Sequence, residues 1–230
     1  MSNYFSKVPD LEYVSRLPDS QIGSYIKVKN LFKGVRLRED ILQDLTIFEK
    51  YQIIGDDRPD NVAFNVYGDS TLDWLVLKCN NIINIQTEWP MSQEDLDRHL
   101  LNKYETYDDL YNGIHHYETV EIKNSQGVVM VPEGMQVPSD WTYTFFDSAM
   151  GQHPSSLKEY NTIQNNPVIS VTNYDYEIKI ENEKRNIFLL KEGYVNLVKD
   201  DLNEEMQYKK GGTQYVSPTL KKAENIKLYQ

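Results

Sequence analysis

Cysteine is almost missing from this chain: Cys79 is the only one in 230 residues, so no disulfide forms within it. Histidine is scarce too, with four, and His99 and His153 have no partner at metal-ligand spacing. No stretch approaches the ~20 apolar residues of a membrane span. The opening MSNYFSKVPDLEY has no apolar core of a secretory signal. Positive charge is in short supply, with 24 Lys and Arg against 35 Asp and Glu, a formal net charge of −11. That balance repels phosphate backbones and anionic bilayers, so neither nucleic acid nor membrane is an expected partner. No internal repeat or low-complexity tract is present. Together these absences read as a soluble protein made in a reducing cytosol.

Aromatic residues are plentiful. They make up 12% of the chain, and 17 of them are Tyr. Aromatic burial offsets chain entropy, which argues against simple disorder. The Tyr hydroxyl also suits half-buried surfaces between proteins. At this length one or two domains are expected, with room for a real core.

Residues 1–20, with Pro9 and Pro18, read as an extended arm opening a first segment, 1–50. Ile41, Leu45 and Phe48 follow helical spacing and predict a short helix over 38–46, with a strand at 48–54 as the alternative. A second segment, 51–105, begins at the turn cluster 55–60, where Asp57 and Pro59 suit a helix start. A helix through Val62, Ala63, Val66 and Tyr67 follows. Gly68-Asp69-Ser70 breaks it, and Leu72, Leu75, Val76 and Cys79 line one face of the next helix, which ends at Asn80-Asn81. Residues 82–85 read as extended. Ser92 and Asp95 form a capping pattern for a helix through Leu96, Leu100 and Tyr104.

The segment 106–168 reads as strands and loops. Residues 117–123 and 128–131 form a hairpin around Asn124–Gly127, 141–146 add a strand, and 151–167 read as loop. In the segment 169–208 a β-branched run at 168–171 leads into a helix capped by Thr172 or Asn173. The strand NIFLLK comes next, then a helical stripe of Tyr194, Leu197, Val198, Leu202 and Met206. Residues 209–230 read as an extended tail, locally basic through Lys209, Lys210, Lys221, Lys222 and Lys227. Both ends, 1–30 and 209–230, are expected to pack poorly until neighbouring subunits order them.

The common phosphate-loop, dinucleotide, nucleophile-elbow, zinc-helix, calcium-loop and CxxC patterns do not occur. His115-His116 is the one histidine pair, but adjacent residues of a strand face opposite ways and do not easily share a metal. Cys79 reads as a small buried hydrophobe and not as a thiolate nucleophile. A hydrolase needs only two carboxylates at the right separation, a condition that 35 acids meet in sequence by chance, so the acids read as caps, turns and solvated faces. Trp74, Trp89 and Trp141 suit core packing, a protein interface or a sugar platform.

The segment 58–91 is distinctive. Ala63, Tyr67, Gly68, Asp69, Leu72 and Trp74 resemble the pattern of a LysM-type βααβ module. The whole chain resembles the baseplate wedge protein 53 family of contractile-tailed, T-even-like phages. Tyr4-Phe5 with Glu12-Tyr13, YQIIGDDRPD at 51–60, YGDSTLDWLVLKCN at 67–80 and ENEKRNI at 181–187 carry that resemblance over roughly 3–208. Cys79 falls on a cysteine of the family, and the tail after Lys209 departs from its pattern.

The expected fold is α+β: a small LysM-like βααβ module, marked by its resemblance, with a β-rich middle region, a C-terminal helix-strand-helix block and extended termini read from the residue pattern. The family resemblance implies a structural virion protein and not an enzyme, with no cofactor. Such a protein links wedge subunits to each other and around the central hub in a six-fold, multi-copy assembly. Its expected partners are the other wedge subunits and hub-proximal tail proteins. Its expected place is the tail baseplate of the virion, reached from the host cytoplasm during assembly. Glycan binding of the LysM type, to peptidoglycan, is the rival. For the interface the expected residues are Trp89, Trp141, Tyr174 and Tyr176, with Trp74 and Leu72 in the module core.

Overall fold

A computed structural model describes residues 3–15, 17–21, 23–147, 156–163 and 165–223. The protein is mixed α+β with several small sheets. It divides into two compact units, Met1–Trp89 with Arg185–Gln230, and Pro90–Lys184.

The first unit is built around a strand-helix-helix-strand arrangement. Strand Phe48–Gln52 leads to helix Pro59–Tyr67, a 3-10 turn at Ser70–Leu72 and helix Asp73–Cys79. Pro59 sits in the first turn, where its missing N–H costs nothing. The helix follows Arg58, which makes no side-chain cap, and not Asp57. It stops at Gly68, whose φ of +70° is left-handed and open to glycine at no steric cost. Asp69 then caps the turn, accepting from the Thr71 N–H at 3.0 Å and the Thr71 hydroxyl at 2.7 Å.

The second strand of this arrangement is not 82–85. Residues 85–88 form a short helix, held by the Glu88 carboxylate, which accepts the N–H groups of Ile83 and Asn84 at 2.6 and 3.0 Å. The strand that closes the arrangement is Asn186–Leu190, antiparallel to Phe48–Gln52 with Phe188 opposite Lys50. Helix Glu192–Glu205 follows and turns Val195, Val198 and Leu202 into the core. Leu75, Val76, Leu189 and Leu190 are fully buried there with Val62 and Ala63. Each large side chain contributes roughly 1.5–3 kcal/mol by leaving water. The short helix and the strand expected around 38–54 both exist, as Glu39–Gln43 and Phe48–Gln52.

The described ends are not an arm and a tail. Tyr215–Ser217, Leu220–Lys222, Asp10–Val14 and Tyr25–Lys29 form one four-stranded sheet in that order. Leu220–Lys222 runs parallel to Asp10–Val14, and the other two pairings are antiparallel. Charge helps set the register. Asp10 lies opposite Lys29, and Glu12 lies opposite both Lys27 and Lys222. Of the basic residues near the C-terminus, Lys222 thus stands opposite an acid of the N-terminal strand, and its ammonium also covers the Tyr25 ring at 4.1 Å.

Asp10 takes Lys29 at 2.9 Å and Lys27 at 3.2 Å. The hydrogen bond from Lys29 holds its carboxyl below the usual range, against a smaller opposing effect of burial. A carboxyl depressed by folding adds stability above its unfolded value of about 3.9, and that stability is lost as pH falls through the folded value. Asp10→Asn should cost about 0.5–1 kcal/mol at pH 7 and nothing near pH 2. Urea denaturation at the two pH values checks this, and an equal loss at both would assign the effect to packing.

The second unit opens with helix Gln93–Tyr104, capped by Ser92 as expected: its hydroxyl accepts the Asp95 N–H at 3.2 Å and donates to the Asp95 carboxylate at 2.9 Å. Helix Tyr107–Tyr111 and strand Ile114–Thr119 follow. That strand is central in a three-stranded antiparallel sheet, between Val168–Thr172 and Gln136–Val137. The expected hairpin exists in shortened form, Ile122–Lys123 with Val129–Val131, and Asn124 Oδ1 accepts the N–H groups of Gln126 and Val128 in its turn. A second hairpin pairs Tyr143–Phe146 with Leu157–Tyr160, so part of the stretch read as loop is strand. Residues 151–155 and 164 of that stretch lie outside the described residues. Helix Asn173–Lys184 starts where Thr172 accepts the Asp175 N–H at 3.1 Å. On it, the buried Glu181 accepts the Met91 N–H and the Lys184 ammonium, joining the two ends of the unit.

Candidate protein interface

Tyr174 and Tyr176 stand in the first turn of helix Asn173–Lys184. Tyr174 lies 4.7 Å, centroid to centroid, from Tyr111, and Tyr111 stacks on Tyr107 at 6.4 Å and 10°. Tyr107 and Tyr111 are one helical turn apart on the short helix capped by Thr106. They are 63% and 47% exposed, large for rings of this size. The helix is fixed against the start of helix Asn173–Lys184 by Asn173, which donates its amide to the Asp109 carbonyl at 2.7 Å and its N–H to the Gly113 carbonyl at 2.9 Å. Gly113 allows this approach, because a Cβ there would sit 2.3 Å from the Asp109 carbonyl oxygen. Sequence reasoning missed Tyr107 and Tyr111. The Thr106–Asp109 cap and the i, i+4 tyrosines were the signal for them.

The other two expected contact residues are placed differently. Trp141 is half-buried at the end of a ring ladder, stacked on Tyr143 at 5.9 Å and 11°, followed by Phe145 and Tyr160. That ladder lies over Ile122 and Val131. Trp89 is only 5% exposed, belongs to the hydrophobic core of the first unit, and its indole N–H donates to the Asp57 carbonyl at 3.0 Å. It has little surface to offer a partner. Trp74 and Leu72 are buried in that unit, as expected.

The first unit has its own apolar groove of about 380 Å³, lined by Tyr4, Phe5, Trp74, Leu77, Ile82 and Ile83 among others. Charge is divided unevenly between the units. Residues 90–184 hold 16 of the 35 acidic residues but only 6 of the 24 basic ones, a net charge of −10 out of −11. The exposed tyrosines thus stand on an acidic unit, while the first unit is close to neutral.

Groups with chemical potential are mostly tied down. Burial pushes the Cys79 thiol up to about 12, so it stays protonated and unreactive at neutral pH. Burial also raises Tyr67, whose hydroxyl donates to the Leu190 carbonyl at 2.8 Å. Glu177 is pulled up by burial and, more strongly in sum, down by Lys103 and Tyr104, so its carboxyl rests below the usual range. Among the described residues, no three His, Cys, Asp or Glu side chains gather as a metal-ligand set, and no helix is long and apolar enough to cross a membrane. The expectation for His115 and His116 needs correction. They do not face opposite ways; their rings meet with the Nδ1 atoms 2.9 Å apart. The reason is a register shift in the sheet at this point, which breaks the alternation of a regular strand.

Exposed aromatic rings on an acid-rich unit are features that protein-contact surfaces are built from, and no cluster of three metal-ligating side chains stands beside them among the described residues. The chain belongs to the base plate wedge protein 53 family of phages, whose family model matches residues 4–207. It is a structural component of a phage tail baseplate. The match ends where the sequence departs from the family pattern, just before Lys209. No curated protein matches the chain.

Proposed function

We propose that this protein links baseplate wedge subunits to one another and around the central hub, in several copies of a six-fold assembly formed in the host cytoplasm, without catalysing a reaction. The observation that carries the reading beyond family membership is the exposed Tyr107–Tyr111 stack beside Tyr174, on a unit that holds −10 of the net charge. Tyrosine at the centre of an interface contributes large contact area at low entropy cost. The acidic field around it favours partners with basic faces and sets register and on-rate. Tyr174 and Tyr176 belong to this contact surface, and Trp141, on its own ring ladder, is a separate contact candidate. Coupling through such contacts is mechanical, and a baseplate rearrangement passes through the protein as rigid-body motion.

The test is size-exclusion chromatography with light scattering, on the protein alone and mixed with the other wedge subunits of the same genome. Co-elution as a defined heteromer is expected. The double variant Tyr107→Ala/Tyr111→Ala should weaken it by at least tenfold while leaving the melting temperature nearly unchanged. A monomer indifferent to those subunits would overturn the reading.

The strand-helix-helix-strand arrangement supports the resemblance to LysM modules, and with it the glycan-binding alternative. Against that alternative, the aromatics of the Tyr67–Trp74 turn are spent inside the unit: Tyr67 is tied to Leu190 and Trp74 is buried. Saturable binding of peptidoglycan fragments would restore it.

A further inference from the structure

The strand Ile114–Thr119 carries one residue more than its neighbour. His116 pairs with Val171 and Ile114 with Thr172, which leaves His115 as the extra residue of a bulge. Bulges re-aim side chains and recur beside binding sites. Here the two imidazoles meet edge to face, 84° between planes, with Nδ1 atoms 2.9 Å apart.

Each ring is fixed from another side. His115 lies flat on Tyr176, with centroids 3.8 Å apart and 12° between planes. His116 Nε2 is 3.1 Å from Glu118 Oε1, and the same oxygen accepts from Lys179 Nζ at 2.9 Å. The His116 and Glu118 side chains are 11% and 16% exposed. A carboxylate at Nε2 keeps the ring proton there, so the lone pair of His116 sits at Nδ1. His115 is exposed, and water can take its proton at Nε2, which leaves a second lone pair at its own Nδ1.

We propose that His115 Nδ1 and His116 Nδ1 together chelate one divalent transition-metal ion of the copper–nickel type, with Glu118 as the positioning carboxylate behind His116 and solvent oxygens completing the shell. Two nitrogens 2.9 Å apart, each about 2.0–2.1 Å from an ion, subtend roughly 90° at it. That is the cis angle of the tetragonal N,O sites that Cu²⁺ and Ni²⁺ prefer, narrower than the tetrahedral angle of structural zinc. With two protein ligands, the ion that binds most tightly is Cu²⁺, by the general affinity order of divalent metals. On binding, the His115 proton that bridges the two Nδ1 atoms moves to His115 Nε2, where water accepts its hydrogen bond, and the ion takes its place between the rings. The carboxylate–imidazole–metal chain is the usual outer support of a histidine ligand.

The full chain should be titrated with Cu²⁺, then Ni²⁺, in a non-coordinating buffer, with Mg²⁺ as the control. One equivalent of Cu²⁺ is expected to bind saturably, more tightly than Ni²⁺, and Mg²⁺ not at all. Electron paramagnetic resonance of the copper-loaded protein should show two equatorial imidazole nitrogens, a readout that needs no variant. His115→Gln or His116→Gln should weaken binding at least tenfold and remove one nitrogen from the spectrum. Glu118→Gln should weaken it by about 10–100-fold while keeping both nitrogens, as a positioning residue does. His99→Gln should change nothing. Absence of saturable Cu²⁺ binding, a spectrum with fewer than two imidazole nitrogens, or unchanged affinity in His115→Gln would overturn the proposal and leave the pair as a hydrogen bond only.

Discussion

Trp89→Ala should destabilise the first unit by about 3–5 kcal/mol, the cost of removing a large buried aromatic ring. The ring is one of the core side chains packed with Val62, Leu75 and Leu190. Its loss leaves a cavity that the surrounding core relaxes only partly to fill. It also strands the Asp57 carbonyl, which now accepts the indole N–H at 3.0 Å. Trp89→Phe keeps most of the packing and should cost about 1–2 kcal/mol, chiefly the lost hydrogen bond. Urea denaturation followed by circular dichroism separates the two. Co-assembly with wedge subunits should survive in Trp89→Phe. If instead Trp89→Ala keeps its stability and loses co-assembly, the residue is a contact and not a core anchor.

Asn80→Asp is expected to be nearly as damaging, although it changes one atom's identity. The Asn80 amide group donates to the Val76 and Phe188 carbonyls, both at 2.8 Å, and its oxygen accepts the Phe188 N–H at 2.7 Å. It meets both main-chain groups of Phe188, as a neighbouring strand residue would, and ties the end of helix Asp73–Cys79 to strand Asn186–Leu190. A carboxylate there faces two carbonyl oxygens with no proton to offer. The expected cost at pH 7 is about 3 kcal/mol, against about 2 kcal/mol for Asn80→Ala, where water can enter. The sign with pH is opposite to that of Asp10. The new carboxyl is raised by folding, so stability is regained as pH falls below that raised value and the protonated acid can donate again. Melting temperatures of the variant and the parent at pH 7 and pH 4 give the comparison. A variant as stable as the parent at pH 7 would show that Asn80 does not hold the strand.

Asn80 also marks how far sequence reading reaches. Its role as a helix stop was legible, because the cause lies within a few residues. Its bond to Phe188, 108 positions away, was not. The same division runs through the candidate interface. Tyr174 and Tyr176 are legible as contact candidates from residue type and place, but that Tyr111 lies against Tyr174 and His115 on Tyr176 is decided only when two helices and a strand come together. Trp89 shows the reverse: an interface tryptophan in sequence, it is a core residue once the Asp57 carbonyl and the surrounding aliphatic side chains are in position.

Legible in the residue order alone are the mixed fold class, the break at Gly68, the cap at Ser92, a helix start at Thr172 or Asn173, the turn at Asn124–Gly127 and the resemblance to the family. The breaks, caps and turns among these have their cause in hydrogen bonds or backbone angles spanning a few residues. Long-range packing settles that Phe48–Gln52 pairs with Asn186–Leu190 although a whole unit intervenes in the chain, that Asp10–Val14 pairs with Leu220–Lys222, and that a bulge turns two adjacent histidines toward each other. Strand pairing is settled by cross-strand contacts between residues far apart in the chain, and a strand of three to five residues carries no local mark of which partner it will find.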